Sequence, residues 1–352
     1  MSSDKRNSVI DIYKGLGIML MLMGHVGFGD VSSHIAVAFH MPMFFFISGF
    51  LFREEKDRNI KEWIQQKSKS LLYPYFTFGV LNYIVYVLLC FFRNDTISLS
   101  QIGHLFWINT TGMVSGSLWF LTAFLVSNIL FCTVNHTVKK VWMRHVVILV
   151  ISFLGIFVAS YLPFRLPYAL DAGMVGTGMQ YIGYLVRKEM NHKNIRRIFN
   201  LSIGETVVAC IIFSILILAN GEINMRNGLY HNILLFWINA IAGSVLIYNI
   251  ARYLDKWREY KVVLIGKCVR IVEGIGMTSI IYVCTNDIIV SEIKKFLRMI
   301  FAGEGKINTI LVHSATLIIT IGIIDVIIHY LPISAWLGRL KRTGNTKGEK
   351  CC

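Results

Sequence analysis

Charged residues are scarce in this chain of 352 residues, where Asp, Glu, Lys and Arg together make up 16% of the positions. Soluble domains carry about a quarter. Hydrophobic residues account for 55%, and the mean hydropathy is +0.58. So little charge cannot cover a water-facing surface, which excludes an ordinary soluble protein. At about 20 residues per helical span there is room for roughly ten spans. We predict an all-α polytopic membrane protein with about ten transmembrane helices and no soluble domain.

Metal-binding cysteine spacing is also lacking, because none of the seven cysteines forms a CxxC pair. Most of them lie in apolar runs and are predicted to be small apolar core residues. We therefore expect no metal and no bound prosthetic group. The cysteines are Cys90, Cys132, Cys210, Cys268, Cys284, Cys351 and Cys352.

The N-terminus lacks a cleavage site. Lys5 and Arg6 precede an apolar stretch, as in a signal peptide, but no small-x-small site follows, and Asp11 and Lys14 interrupt the pattern. This predicts an uncleaved first span. Internal repeats and low-complexity linkers are absent from the sequence as well. We expect one transmembrane domain over 1–335 and a basic cytoplasmic tail over 336–352.

The apolar runs predict the positions of the spans, and a segment at 103–111 carrying Trp107 is a candidate interfacial helix. The predicted spans are 8–28, 35–52, 71–92, 118–135, 146–162, 168–186, 203–219, 231–251, 274–291 and 307–330.

The net charge of +15 raises the possibility of a nucleic-acid partner. The distribution of the charge argues against a nucleic-acid partner. With ten spans, 27 of the 35 Lys and Arg residues lie in segments on the same side of the membrane as the N-terminus, and seven lie in segments on the opposite side. This bias is typical of membrane proteins and predicts cytoplasmic N- and C-termini. Four of the seven exceptions cluster at 294–306, so a re-entrant or interfacial segment within 255–306 is the alternative there.

The first span, DIYKGLGIMLMLMGH, carries ionisable groups, which are costly in hydrocarbon and therefore functional candidates. Lys14 and His25 are eleven residues apart, so they share one helix face at a separation of about 16 Å. A cation near the cytoplasm could hold a phosphate, and a neutral imidazole deeper in could act as a base. The alternative is that Lys14 snorkels and His25 caps the span. Asp30 could orient His25 or could simply be solvated.

The second span contains FHMPMFFFISGFLF, in which His40 lies at a depth similar to that of His25. Two histidines on adjacent helices could therefore face one cavity. Pro42 removes a backbone donor and bends or opens the helix. Ser48 and Gly49 allow close helix approach, and packing alone also explains these small residues and the proline.

These two runs, with LLYPYF at 71–76, SLWFLTAFLVSNILF at 117–131 and YIGYLVRK at 181–188, resemble the acyltransferase 3 family of integral membrane O-acyltransferases. The resemblance covers roughly the first 190 residues and is greatest to short bacterial members that acetylate cell-surface or capsular polysaccharide. It implies transfer of an acyl group, usually acetyl from cytoplasmic acetyl-CoA, to a sugar hydroxyl at the outer face. It also makes His25 the essential histidine and Lys14 its basic partner, where many relatives have Arg.

The C-terminal part departs from the family pattern. Many relatives have a Gly-x-x-Ser run and a histidine seven residues after the serine. Here Gly276 and Ser279 match, but Asn286 stands at the histidine position. Asn cannot exchange protons as imidazole does, so we expect Asn286 at most to position a substrate.

The chemistry predicted is direct transfer. His25 would deprotonate the sugar hydroxyl, Lys14 would hold the coenzyme A phosphates, and His40 would orient His25, donate to the oxyanion or bind the acceptor. A covalent acyl-histidine is the competing mechanism. Asp171 and Trp119 are candidate contacts for the carbohydrate acceptor, although interfacial anchoring is the commoner role of such a tryptophan.

A different class of function is a proton-coupled transporter of a small solute or lipid-linked glycan, since buried His, Lys and Asp also build proton relays. The absence of a repeat with paired broken segments argues against it. A membrane subunit that only flips or presents lipid-linked glycans is a third reading. The partners expected are membrane lipid and a carbohydrate, in a bacterial cytoplasmic membrane.

Overall fold

The computed structural model describes residues 7–54, 59–107, 109–112, 114–258, 263–301 and 306–330. The predicted tail 336–352 lies outside these ranges. The described residues form helices and no β-sheet, as hydrocarbon requires, since each helix satisfies its own backbone groups. The α-helices are α1 Ser8–Val26, α2 Asp30–Phe50, α3 Ile60–Arg93, α4 Ser100–Phe106, α5 Trp119–Thr137, α6 Val141–Tyr161, α7 Leu170–Lys188, α8 Lys193–Ile198, α9 Ile203–Ala219, α10 Ile233–Trp257, α11 Val263–Met277, α12 Ser279–Ile300 and α13 Lys306–Tyr330.

Seven helices of the described chain are long and apolar enough to cross a membrane, namely α1, α2, α3, α5, α6, α10 and α13. The pair α11 and α12 forms an eighth candidate. The predicted all-α polytopic membrane fold is therefore confirmed. All ten predicted spans are helical, but α9 has only 17 residues, and α7 is rich in glycine and polar residues. Because α7 is largely buried by other helices, it does not need an apolar surface toward lipid.

The helices α2 and α7 pack closely against each other in the interior of the protein. A Cβ atom at Gly49 would overlap the Gln180 carbonyl, and one at Gly183 would overlap the Phe46 carbonyl. The two backbones therefore touch, which confirms the close approach predicted from Ser48 and Gly49. Gln180 Nε2 also donates to Ser48 Oγ at 3.3 Å.

The helices α11 and α12 meet at an angle of 91° at Thr278. The predicted ninth span, 274–291, is therefore wrong at its start: a separate helix ends at Met277, and α12 begins at Ser279. A Cβ atom at Gly276 would overlap the Asp11 carbonyl, so α11 lies directly on the backbone of α1. The expected irregularity within 255–306 is thus a broken span or a re-entrant segment.

Three connecting segments interlock over the end of the bundle where α1 stops. Tyr168 N donates to Trp107 O at 3.0 Å, and an Arg165 nitrogen donates to Met225 O at 3.2 Å. Arg226 Nε donates to Thr110 O at 2.7 Å. These bonds join residues far apart in sequence into one cap.

Candidate functional site

His25 stands in the last turn of α1. The helix ends at Gly27, whose φ of 81° lies in the left-handed region that favours glycine. The His25 side chain is 30% exposed, and its Nδ1 lies 2.9 Å from Oδ1 of Asp287 on α12. A carboxylate can only accept a hydrogen bond, so Nδ1 carries the proton and Nε2 of the neutral ring keeps its lone pair. That is the form a general base requires.

The Asp287 carboxylate is held on its other side by the cap. Arg226 NH1 lies 3.7 Å from Oδ2, and the same guanidinium is anchored on Thr110 O. Gly116 lies against the carboxylate so closely that a Cβ atom there would overlap Oδ2. The carboxylate that contacts His25 thus has a fixed position, and a carboxylate fixed beside a ring nitrogen sets the tautomer and direction of an imidazole.

His40 lies about one turn deeper than His25, on the neighbouring helix. A Cβ atom at Gly24 would lie 3.3 Å from Val37, which places the end of α1 beside the turn that precedes His40. His40 is buried, with Nδ1 2.7 Å from Ala36 O. Because a carbonyl only accepts, Nδ1 carries the proton, and the Nε2 of neutral His40 is a hydrogen-bond acceptor.

The stripe that joins Lys14 to His25 faces protein. Ile18 is fully buried and Met21 is 1% exposed between them. Lys14 is 31% exposed, and its Nζ lies 3.7 Å from Asp11 Oδ1 at the opposite end of α1 from His25. The two predicted groups therefore share a face, as the spacing requires, but packed side chains separate them.

A cleft of about 350 Å³ opens at His25. Its described walls come from α1 and α12, and they do not include Lys14 or His40. The lining residues are His25, Asp287, Val290, Ser291, Lys294, Lys295 and Arg298. The cleft brings a carboxylate-oriented imidazole and several cations to one surface. In the described part of the chain, no group of three or more His, Cys, Asp or Glu residues could hold a metal ion.

The two predicted acceptor contacts lie away from this cleft. Asp171 is fully buried, 2.9 Å from an Arg165 nitrogen, where it braces the cap. Trp119 is 4% exposed and packs edge-on against Phe120, so its indole presents no open face to a sugar ring. In this conformation neither side chain can touch an acceptor.

Asn286 is fully buried, and its Nδ2 donates to the carbonyls of Tyr282 and Val283. The next residue, Asp287, was not among the candidates from the sequence. Asp30, which could orient His25 or simply be solvated, lies on an exposed helix start. The signal was available, since Asp287 is an ionisable group within an apolar run and meets the same criterion that singled out Lys14 and His25.

Fold and site together define a polytopic membrane protein with a carboxylate-paired histidine at the mouth of a cleft. The family model described as an acyltransferase domain, that of the acyltransferase 3 family, matches residues 7–329. The chain therefore belongs to the acyltransferase 3 family and is a membrane acyltransferase. No curated protein and no solved structure matches the chain.

Proposed function

We propose that the protein is an O-acyltransferase that moves an acetyl or other acyl group from cytoplasmic acyl-CoA to a hydroxyl of a cell-surface or capsular carbohydrate. The observation that supports this best is the pairing of His25 with Asp287 inside an open cleft. The pair supplies a base of fixed tautomer, which transfer to a hydroxyl needs. We place the protein in a bacterial cytoplasmic membrane, with both termini in the cytoplasm.

The chemical step is a direct transfer. His25 Nε2 takes the proton of the acceptor hydroxyl while its oxygen attacks the thioester carbonyl. The bond from carbonyl carbon to sulfur then breaks, and the coenzyme A thiolate takes the proton back from the imidazolium. Asp287 remains ionised and stabilises the imidazolium that forms between the two proton transfers.

The hydrogen bond of His40 limits the roles that we propose for its ring. Its Nδ1 proton is committed to Ala36 O, so neutral His40 cannot donate to an oxyanion through Nε2. It can accept a hydrogen bond from a hydroxyl. We therefore assign it to acceptor orientation, one of the three roles predicted from the sequence.

Lys14 is the proposed contact for the phosphates of acetyl-CoA, the acyl donor. Its ammonium now lies beside Asp11, so a phosphate would replace or share that carboxylate contact. A thioester extending from Lys14 to His25 must also pass Ile18 and Met21, which are packed closed. Donor binding on this path therefore requires a rearrangement around the middle of α1.

The test uses membranes that contain the full chain, with acetyl-CoA radiolabelled in the acetyl group. We expect hydrolysis or transfer of the label, and His25→Ala should lower it by about 100-fold or more, since general-base catalysis contributes roughly that much. His192→Ala, an exposed histidine at α8, is the matched control and should match wild type. Wild-type activity in His25→Ala would contradict the proposal. A stable acetyl adduct on His25, trapped without acceptor, would replace direct transfer by the acyl-histidine route.

A further inference from the structure

One face of α12 carries a line of polar residues along the cleft. Asp287, Ser291, Lys294 and Arg298 are spaced by four, three and four residues, which puts them on a single helical stripe. All four line the cleft that contains His25. The stripe therefore runs from the orienting carboxylate at one end to two cations at the other. At 1.5 Å per residue, these cations lie roughly 10 and 16 Å along the axis from Asp287.

The positive charge of this stripe is not neutralised within the described residues. Asp287 is the one carboxylate among the described lining residues, and it is occupied by His25 and Arg226. Lys294 Nζ donates to Val26 O at 2.5 Å, which is a neutral acceptor. In the described part of the chain, neither Lys294 nor Arg298 has a carboxylate within ion-pair distance.

Glu292, an acid on the same helix, is paired with other cations. Glu292 forms ion pairs with Arg93 and with Lys295. Lys294 and Arg298 are four residues apart on one helix, where like charges repel and are destabilising. Two such cations on one wall of a cleft attract an anion.

The lipid-facing side of α12 is a different surface. Phe296 is 62% exposed and, at 100° per residue, lies about 160° around the helix from both Lys294 and Arg298. Met299 is 80% exposed and lies about 140° from Lys294 and about 100° from Arg298. The cations therefore point into the cleft that holds the base, and the apolar side chains point toward hydrocarbon.

We propose that the acceptor is an anionic glycan whose carboxylate or phosphate group binds Lys294 and Arg298 while the reacting hydroxyl lies at His25. This inference rests on the proposed acyltransferase function and specifies its substrate class. Arg298 offers a planar fork of donors that matches either anion, and Lys294, fixed to the end of α1, adds a point charge. The polar face of α12 would thereby fix which sugar hydroxyl lies at His25.

The experiment uses the full chain reconstituted in zwitterionic phosphatidylcholine nanodiscs, with labelled acetyl-CoA and total glycans from the source cells. After the reaction the glycans are separated by anion exchange into neutral and anionic pools. We expect the label in the anionic pool. Arg298→Gln should reduce that label roughly tenfold to a hundredfold, because hydrogen bonds between charged groups contribute about that much to binding. The melting temperatures of wild type and Arg298→Gln should be equal, which shows that the variant is folded.

Arg196→Gln, which removes an exposed arginine from α8, is the matched control and should leave the labelling unchanged. Label in the neutral pool, or equal labelling by wild type and Arg298→Gln, would overturn the anionic acceptor. An Arg298→Gln defect that appears only when anionic phospholipid is added would assign the cations to lipid headgroups and also overturn it. If the wild-type protein does not turn over acetyl-CoA at all, the proposed acyltransferase function is refuted. Failure of the anionic-acceptor proposal is therefore distinguishable from failure of the proposed function.

Discussion

Asp287→Asn is the sharpest perturbation of the site, because it changes one atom and leaves the side-chain shape. In the wild type, Oδ1 accepts from His25 Nδ1 while Oδ2 faces Arg226. Arginine only donates, so the substituted amide will turn its oxygen to Arg226 and its NH2 group to His25. His25 must then accept at Nδ1 and carry its proton on Nε2. The base is lost although the imidazole stays in place.

The magnitude follows from this tautomer change. The same replacement in the Ser-His-Asp triad lowers kcat by about 10⁴-fold for the same reason. Here the carboxylate is 18% exposed, so water offers part of the lost interaction, and we expect a decrease of about 10³-fold, or ~4 kcal/mol. Folding should be little affected, since the amide keeps both contacts.

The assay is transfer or hydrolysis of labelled acetyl-CoA by purified protein, with the melting temperature recorded for each variant. Asp30→Asn is the matched control, since that exposed carboxylate lies just beyond α1, and it should retain full activity. If Asp287→Asn keeps more than a tenth of wild-type activity while folded, the orientation of His25 by Asp287 does not limit the reaction.

Two further predictions concern packing and pH. Gly276→Ala should destabilise the protein by about 1–3 kcal/mol, because its Cβ atom would overlap the Asp11 carbonyl. Gly274→Ala on the same helix meets open space and should be neutral or slightly stabilising. An equal melting temperature for the two variants would contradict this. Burial alone would raise the pKa of Glu54, but the adjoining Tyr184 side chain, a hydrogen bond from Asn135 and the charges of Lys188 and Arg144 hold that pKa below its ordinary value. Its stabilisation is therefore present at neutral pH and lost as the pH falls through the lowered pKa. Glu54→Gln should lower the melting temperature by about 1–2 °C at pH 7, an effect kept small by 46% exposure, and the difference from wild type should shrink as the pH falls through that range.

The sequence predicted most of the fold because hydrocarbon imposes a simple rule: a span must be helical and apolar. That rule located α1, α5 and α13 within about two residues at each end. It was less accurate where protein replaces lipid around a helix. The core position of α7 could not be predicted from its hydropathy, and the break at Thr278 depends on the contact between α11 and α1.

Only the part of the site that lies on one helix could be predicted from the sequence. The stripe of Lys14 and His25 is local to one helix, so residue spacing alone predicted it. The partner of His25 comes from α12, far along the chain, and no local pattern links the two. The positive charges at 294–298 were noticed only as exceptions to the charge bias, although they line the same cleft. The sequence did not show that the Asp171 carboxylate lies buried beside Arg165, and its contact with an acceptor stays a prediction.

The buried side chains at the centre of α1 bear on the proton permeability of the membrane. An enzyme whose two substrates arrive from opposite sides of a membrane must not leave an aqueous pore between them, since protons would leak through it. Ile18 and Met21, packed between the lysine and the histidine, form an apolar barrier about one turn long. Under the proposed function, such a barrier would keep the bilayer insulating between turnovers.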